Sequence, residues 1–338
     1  MNIKDVAKIA GVSSATVSRV LNNSGPVKED TRQRILKIIE EGGYTPNALA
    51  RSLSKGDMMN NIGLMIPDIN NSFFSMIAKG VGKIAVNYGY NLFLFGTNES
   101  TESEQRMLQT VKEQRLKGLL IAPVVENNKE NASLLMNLGI PVVLIDRDIT
   151  GVEFDGVFSN DTEGAFRAVE SLIQSGHRKI AQIIGPLTTK PGRTRYQGYM
   201  DAMNFYGIPV DRKYTVSGMF KQDEGYRAMK KLMELPDPPT AIFSANNLMS
   251  IGVLQYMKEH GLKVRRDISL IGFDDIEVLQ YTELGFSVVN RPVIDMGSEA
   301  MQLLHERIIE PHDSERVRKT ITLGTRLILR GSEQMEGM

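Results

Sequence analysis

Over the first forty residues, apolar positions fall at helical intervals. Ile3, Val6, Ala7, Ile9, Ala10 and Val12 recur close to a 3.6-residue period, with Asn2 as a cap and Gly11 as a stop. Ser13 is a suitable N-cap for a second helix, "SATVSRVLNN", whose Val17, Val20 and Leu21 form one stripe. A third, "EDTRQRILKIIEEGGY", turns Ile35, Ile38 and Ile39 inward and ends at Gly42-Gly43. From Asn61 the rhythm changes. Strand-like runs "NIGLMIPD", "NLFLFGTN", "LKGLLIAP", "PVVLIDR", "KIAQIIGP", "TAIFSAN" and "ISLIGFDD" are separated by helical segments such as "ESEQRMLQTVKEQR". Apolar strands joined by helices predict parallel, doubly wound sheets. Because the rhythm runs twice, roughly over 61–160 and 161–290, the pattern predicts an all-α head followed by an α/β core of two doubly wound parallel-sheet lobes.

Helix, short turn containing glycine, helix and supporting helix form the helix-turn-helix plan. The start of the second helix is bare of bulky groups. Small side chains at Ser14 and Ala15 permit close approach to base edges in a DNA major groove, and Arg19 is long enough to reach a guanine. Ser13, Thr16, Ser18 and Asn22 would bond phosphates. A solvated helix in a small bundle fits these residues about as well on their own.

The whole segment "IKDVAKIAGVSSATVSRVLNNSGPVKEDTRQRILKIIEEGGYTPNALARSL" resembles, almost position by position, the DNA-binding head of the LacI/GalR family of repressors. The resemblance implies that Ser14, Ala15 and Arg19 read bases, within a DNA-facing set that includes Asn2 and Tyr44. It also implies a hinge helix in "TPNALARSLSKG", with Asn47 on DNA, Ala50 at a hinge-to-hinge contact and Leu53 as a minor-groove wedge. A helix this short is marginal alone and needs DNA or a partner to form. The implied division is a head at 1–45 and a hinge and linker at 46–60. A first lobe would hold 61–160 plus about 292–323, and a second 161–291 plus about 324–338.

The body resembles the periplasmic sugar-binding fold that this family carries as its core, with ligands at the carboxyl ends of strands. Those ends read "DINNSFF", "IDRD", "SND", "GRTRYQGY", "GMF", "SANN", "GFDD" and "VVNRP". Sugar recognition needs planar donors, carboxylates facing hydroxyls, and aromatic faces against the ring. By likeness to ribose-type binding proteins, Asn71 would bond a hydroxyl, and Phe73, Phe74 and Phe220 would stack. Asp146 and Asp274 would accept; Arg147, Arg195 and Asn246 would donate. Each polar group also fits a helix cap, and Phe74 fits the core. Three positions depart from the family pattern: Ala122 replaces an amide, Asn247 an aspartate and Arg291 a glutamine. Arg291 either points to an acidic or phosphorylated sugar, or pairs with Asp274 or Asp275 in the cleft.

Charge refines this picture. The chain holds 40 basic and 40 acidic residues, but residues 1–60 carry nine basic against six acidic and the remainder 31 against 34. A mildly basic head suits a polyanion. No cysteine is present, and His177, His260, His305 and His312 lack metal-ligand spacing, so no metal or cofactor is expected. No apolar run has the length of a membrane span, and "MNIKDVAKIAG" lacks a signal peptide's apolar core, which predicts a cytoplasmic protein. Catalysis by Asp274-Asp275 or Asp146 is disfavoured, because adjacent strand-end residues point apart and no phosphate loop or nucleophile elbow accompanies them. The expectation is a sequence-specific transcriptional repressor of carbohydrate genes, binding a near-palindromic operator as a homodimer and controlled by a small sugar or sugar phosphate. The alternative is a catabolite-control regulator answering to a phosphorylated carrier protein, which "KIAVNYGYNLFLF" faintly resembles. No leucine-heptad tail follows Ser332, which argues against coiled-coil tetramers.

Overall fold

The computed structural model describes residues 1–22, 24–43, 60–310 and 317–336. The chain divides into two compact units, residues 1–59 and 60–338.

In the first unit, helices α1 (Ile3–Ala10), α2 (Ser14–Asn22) and α3 (Glu29–Glu41) pack around Val6, Ala7, Ala10, Val17, Val20 and Ile35. Local chemistry sets their ends. The Asn2 side-chain oxygen accepts from the backbone N–H of Lys4 at 2.9 Å and Asp5 at 3.1 Å, while Asp5 accepts from the Asn2 N–H at 2.8 Å, a reciprocal cap. Gly11, at φ 64°, ends α1 in the left-handed region that glycine enters without strain. The Ser13 hydroxyl accepts from the Thr16 N–H at 3.2 Å, opening α2.

The second unit is built on two six-stranded sheets. The first comprises β1 (Asn61–Ile66), β2 (Asn91–Gly96), β3 (Leu119–Ile121), β4 (Val142–Ile145), β5 (Asp155–Ser159) and β11 (Thr320–Leu323), in the order β11-β5-β4-β3-β1-β2. The second comprises β6 (Ile180–Ile184), β7 (Thr215–Ser217), β8 (Ala241–Ser244), β9 (Ser269–Phe273), β10 (Ser287–Asn290) and β12 (Arg326–Ile328), in the order β12-β10-β9-β8-β6-β7. Helices α4 (Ser72–Asn87), α5 (Thr101–Glu113), α6 (Lys129–Met136) and α11 (Val293–Ile309) cover the first sheet. Helices α7 (Asp161–Gln174), α8 (Lys190–Phe205), α9 (Gln222–Met233) and α10 (Asn247–Glu259) cover the second.

Burial follows position in the sheet. Every residue of β1 is buried, whereas the edge strand β2 leaves Phe93 and Leu94 more than two-fifths exposed. On one face of the first sheet α4 and α11 approach closely through glycines: a Cβ on Gly80 would fall 2.1 Å from the Ile294 carbonyl oxygen, and one on Gly297 2.3 Å from that of Ile77.

The chain passes between lobes three times, at β5 to α7, β10 to α11 and β11 to β12. The third passage explains a difference in pairing. Strands β11 and β12 are separated by two residues and run onward from one sheet into the other. A segment that leaves the first sheet in the direction of its strands enters the second against the direction of its own. So β11 pairs parallel with β5, and β12 antiparallel with β10.

All seven strand-like runs form strands; five further strands lie outside them. Of these, β7 and β12 have three residues each, β5 opens on Asp155 and closes on Ser159, and β11 alternates exposed with half-buried positions. The fifth, β10, has four residues and its first three are buried.

Candidate functional site

Two regions gather the residues singled out above. In the head, Ala15 and Arg19 are exposed one turn apart on α2, with Ser14, Thr16 and Ser18 half-buried beside them and Val17 and Val20 turned into the core. Thus the small residues and the single guanidinium share the outer side of the helix. The hydroxyl of Ser13 lies 3.0 Å from that of Thr16 and caps α2, and the amide oxygen of Asn2 caps α1, so both have local tasks. The Asn22 side chain, Tyr44, Asn47, Ala50 and Leu53 lie outside the described residues.

In the body, Asn71, Phe73, Phe74, Asp146, Arg147, Arg195, Phe220, Asn246, Asp274 and Arg291 all line one cavity, together with Glu99 and Pro191. It measures about 300 Å³ including its open mouth. The strand ends bring them there. Asp146 follows β4 and Asp274 follows β9, each with a left-handed backbone, φ 64° and 68°. That conformation is uncommon for non-glycine residues and clusters at functional positions. Arg291 follows β10, at the second passage between lobes.

Arg291 is the centre of the cavity's electrostatics. Its side chain is 1% exposed. Nε and Nη2 donate to the two oxygens of Asp274 at 2.7 and 2.9 Å, while Nη1 donates to Asp146 at 2.5 Å and to the Ser159 hydroxyl at 3.3 Å. The guanidinium also lies 3.8 Å from the centre of the Phe73 ring. Of the two sequence expectations, pairing in the cleft is what the structure holds. The partners are Asp274 and, across the cleft, Asp146; Asp275 instead pairs with Arg330 at 2.6 Å.

Two other buried arginines are held within their own lobes. Arg195 bonds Asp161 at 2.8 Å and the Ala245 carbonyl at 2.7 Å, and Arg147 grips Glu99 at 2.7 and 2.8 Å. Nε of Arg147 is buried with no hydrogen-bond partner. Three carboxylates (Glu99, Asp146, Asp274) and three guanidiniums line the cavity, with the Asp161 carboxylate behind Arg195. Burial raises the Asp146 pKa against the opposing pull of Arg291 and Arg195. Burial acts on Asp161 too, but Arg195 and Arg291 outweigh it and hold that carboxyl below its usual range. Burial tends to lower the Arg291 pKa, yet its acidic neighbours overcome this and raise it, so the residue stays charged.

Further contacts clasp the lobes. The Asn247 amide donates to the Asn71 side-chain oxygen at 2.9 Å and to Ser72 at 3.0 Å. Lys190 meets Asp148 at 3.6 Å, Arg193 pairs with Glu126, and the Glu126 N–H donates to the Thr188 carbonyl at 3.0 Å. Several residues expected to bond a ligand also hold the fold. Asn71 caps α4, accepting from the Phe73 N–H at 3.0 Å, and Asn246 caps α10 while donating to the Phe220 carbonyl. Phe74 packs edge-on to Phe73 within the core of the first lobe. Sequence reasoning passed over Glu99, Pro191 and the roles of Ser159 and Asp161. The last two sit in "SND", the strand end at 159–161; Glu99 lies beyond the end of β2 and gave no such signal.

Comparison with known proteins adds to this geometry. Residues 2–47 match the model for bacterial regulatory proteins, lacI family, and residues 169–333 that for a periplasmic binding protein-like domain. The probable HTH-type transcriptional repressor ExuR of Bacillus subtilis (strain 168) is 38% identical over 315 residues, 92% of each chain. The HTH-type transcriptional repressor PurR of Pasteurella multocida (strain Pm70) is 33% identical over 331 residues, 98% of each. Among solved structures, the complex of transcriptional regulator CelR with cellobiose is 30% identical with a TM-score of 0.73, covering 98% of this chain and 99% of that one.

Proposed function

The chain belongs to the lacI family of bacterial regulatory proteins, DNA-binding transcriptional regulators rather than enzymes, and on that premise we propose that it is a repressor whose effector is a small neutral sugar held between the lobes. The observation that carries the effector reading is the meeting of Asp146 and Asp274, one from each sheet, in a cavity lined by Phe73 and Phe220. Two carboxylates facing across a cleft suit the hydroxyls of one polyol. Each guanidinium at the cavity is already paired with a carboxylate, which disfavours a further anion, so the neutral sugar is preferred over the sugar phosphate. The cellobiose bound by CelR is in keeping with this.

In the head, Ser14, Ala15 and Arg19 are the base-reading side chains, and Arg19→Ala is expected to cost about 1–3 kcal/mol at one position per operator half-site. A loss equal across all sequences would make Arg19 a phosphate contact instead. The protein acts in the cytoplasm as a homodimer. Val86, Tyr88, Phe93 and Leu94, exposed at the end of α4 and along the edge strand β2, are apolar surface of the kind a second copy would cover. Thermal stabilisation by D-ribose, D-glucose or cellobiose, absent with their phosphate esters, tests the effector. Stabilisation by phosphorylated carrier protein alone would overturn it.

A further inference from the structure

The cavity that an effector would enter is already occupied by a side chain of the protein itself. Arg291 satisfies Asp274 with two donors and Asp146 with a third, and its guanidinium covers the Phe73 face. These are the acceptors and the stacking surface assigned above to a sugar. Asp146 and Asp274 belong to different lobes, so the guanidinium ties the lobes together.

We propose that Arg291 is an internal ligand that bolts the cleft shut, and that a sugar binds by inserting a hydroxyl between its Nη1 and Asp146, pushing the lobes apart. The proposal rests on the effector reading for its second half only; the bolt stands without it. The chemistry of the gap selects the inserting group. A hydroxyl accepts from Nη1 and donates to Asp146 at once. A carboxylate or phosphate oxygen can only accept, and would face Asp146 with like charge. The geometry sets the direction of movement. Nη1 and the Asp146 oxygen stand 2.5 Å apart. Two hydrogen bonds through an intervening oxygen need a separation larger by about 2–3 Å. Effector binding therefore widens this cleft, the reverse of a receptor that closes on its ligand.

The absence of cysteine makes the test direct. Glu113→Cys in the first lobe and Lys231→Cys in the second, both exposed, accept one spin label each. Pulsed electron resonance then reads the distance between lobes in the full chain. The unliganded parent is expected to give one narrow distance, and Arg291→Gln a longer and broader distribution. Asp146→Gly, which suits the left-handed backbone there, removes the acceptor on the other side, leaves the Asp274 pair intact, and should lengthen the distance likewise if Arg291→Gln folds poorly. An unchanged distribution in the folded variants overturns the bolt, whatever sugars do. D-Glucose and D-ribose are expected to lengthen the parent's distance, and to bind Arg291→Gln about tenfold more tightly because no closed state must first be opened. Shortening of the distance on adding sugar, or tighter binding of D-glucuronate than D-glucose, overturns the hydroxyl insertion. Sugars that bind neither protein, with the Arg291→Gln distance still lengthened, uphold the bolt and refute the effector.

Discussion

The two lobes share a frame and differ in what they do with it. Both sheets follow the same order relative to their own strand sequence, and each offers an aspartate in left-handed backbone after its fourth strand, Asp146 and Asp274. Their neighbours differ. In the first lobe Arg147 stands next in line and grips Glu99; in the second Asp275 takes that place and grips Arg330. The first sheet closes with a parallel strand and the second with an antiparallel one. A repeated frame supplies positions; the unlike residues placed on it make a cavity with two unlike walls. Among the described residues, Arg291 is the side chain hydrogen-bonded to both aspartates, and it lies on a passage between lobes and so has no duplicate.

If the walls were equivalent, cutting their arginine pairs would cost the same. Arg195 and Asp161 are both almost fully buried, so Arg195→Ala should lower stability by about 3–5 kcal/mol by stranding a buried carboxylate. Arg147 faces Glu99, whose side chain is 23% exposed, and Arg147→Ala should cost less, about 1–3 kcal/mol, because water can reach the carboxylate left behind. Urea denaturation of both variants measures the difference, and equal losses would break the comparison. The clasp between the walls is a smaller effect. Asn247→Asp removes the donor that serves Asn71 and Ser72 and should cost about 1–2 kcal/mol. Hydrogen exchange at the start of α4 and of α10 should then rise together; a rise at one alone would show that the contact does not couple the lobes.

The smallest effect sharpens the contrast at the far side of the second sheet. His177 is fully buried there, beside the Thr240 hydroxyl at 2.9 Å. Burial holds its pKa below the ordinary 6.5. Below about pH 6.5 the unfolded chain therefore takes up a proton that the folded chain refuses. Stability is full above that value and falls as pH drops toward the folded pKa, by up to about 1.4 kcal/mol per pH unit from this group. His177→Gln should flatten the stability profile over that interval; an unaltered profile would mean that the buried histidine does not titrate on unfolding.

Much of this was legible in the sequence where local chemistry decides structure. Asn2, Gly11 and Ser13 set helix ends through their own backbones, and β1 and β9 are buried throughout, and apolar after Asn61 and Ser269 at their starts, because both faces are covered. The apolar pattern alone did not mark the closing strands β11 and β12, since each is short and partly exposed and forms only where an existing sheet offers an edge. At the cavity, residue types at strand ends brought ten wall residues together, but not their pairing. Whether Arg291 met Asp274, Asp275 or a ligand depended on Asp146, 145 residues away in the chain, and on a separation of a few ångströms between lobes.

The three passages between lobes carry a consequence for how such a molecule can be cut and joined. Neither sheet can be assembled from one uninterrupted length of polypeptide: the first waits for β11, which is translated only after β10 of the second. A truncated product ending before residue 320 lacks the final strand of both halves at once. Exchanging one half between two relatives therefore requires three splice points, near 160, 291 and 324, where a tandem pair of domains would need a single junction.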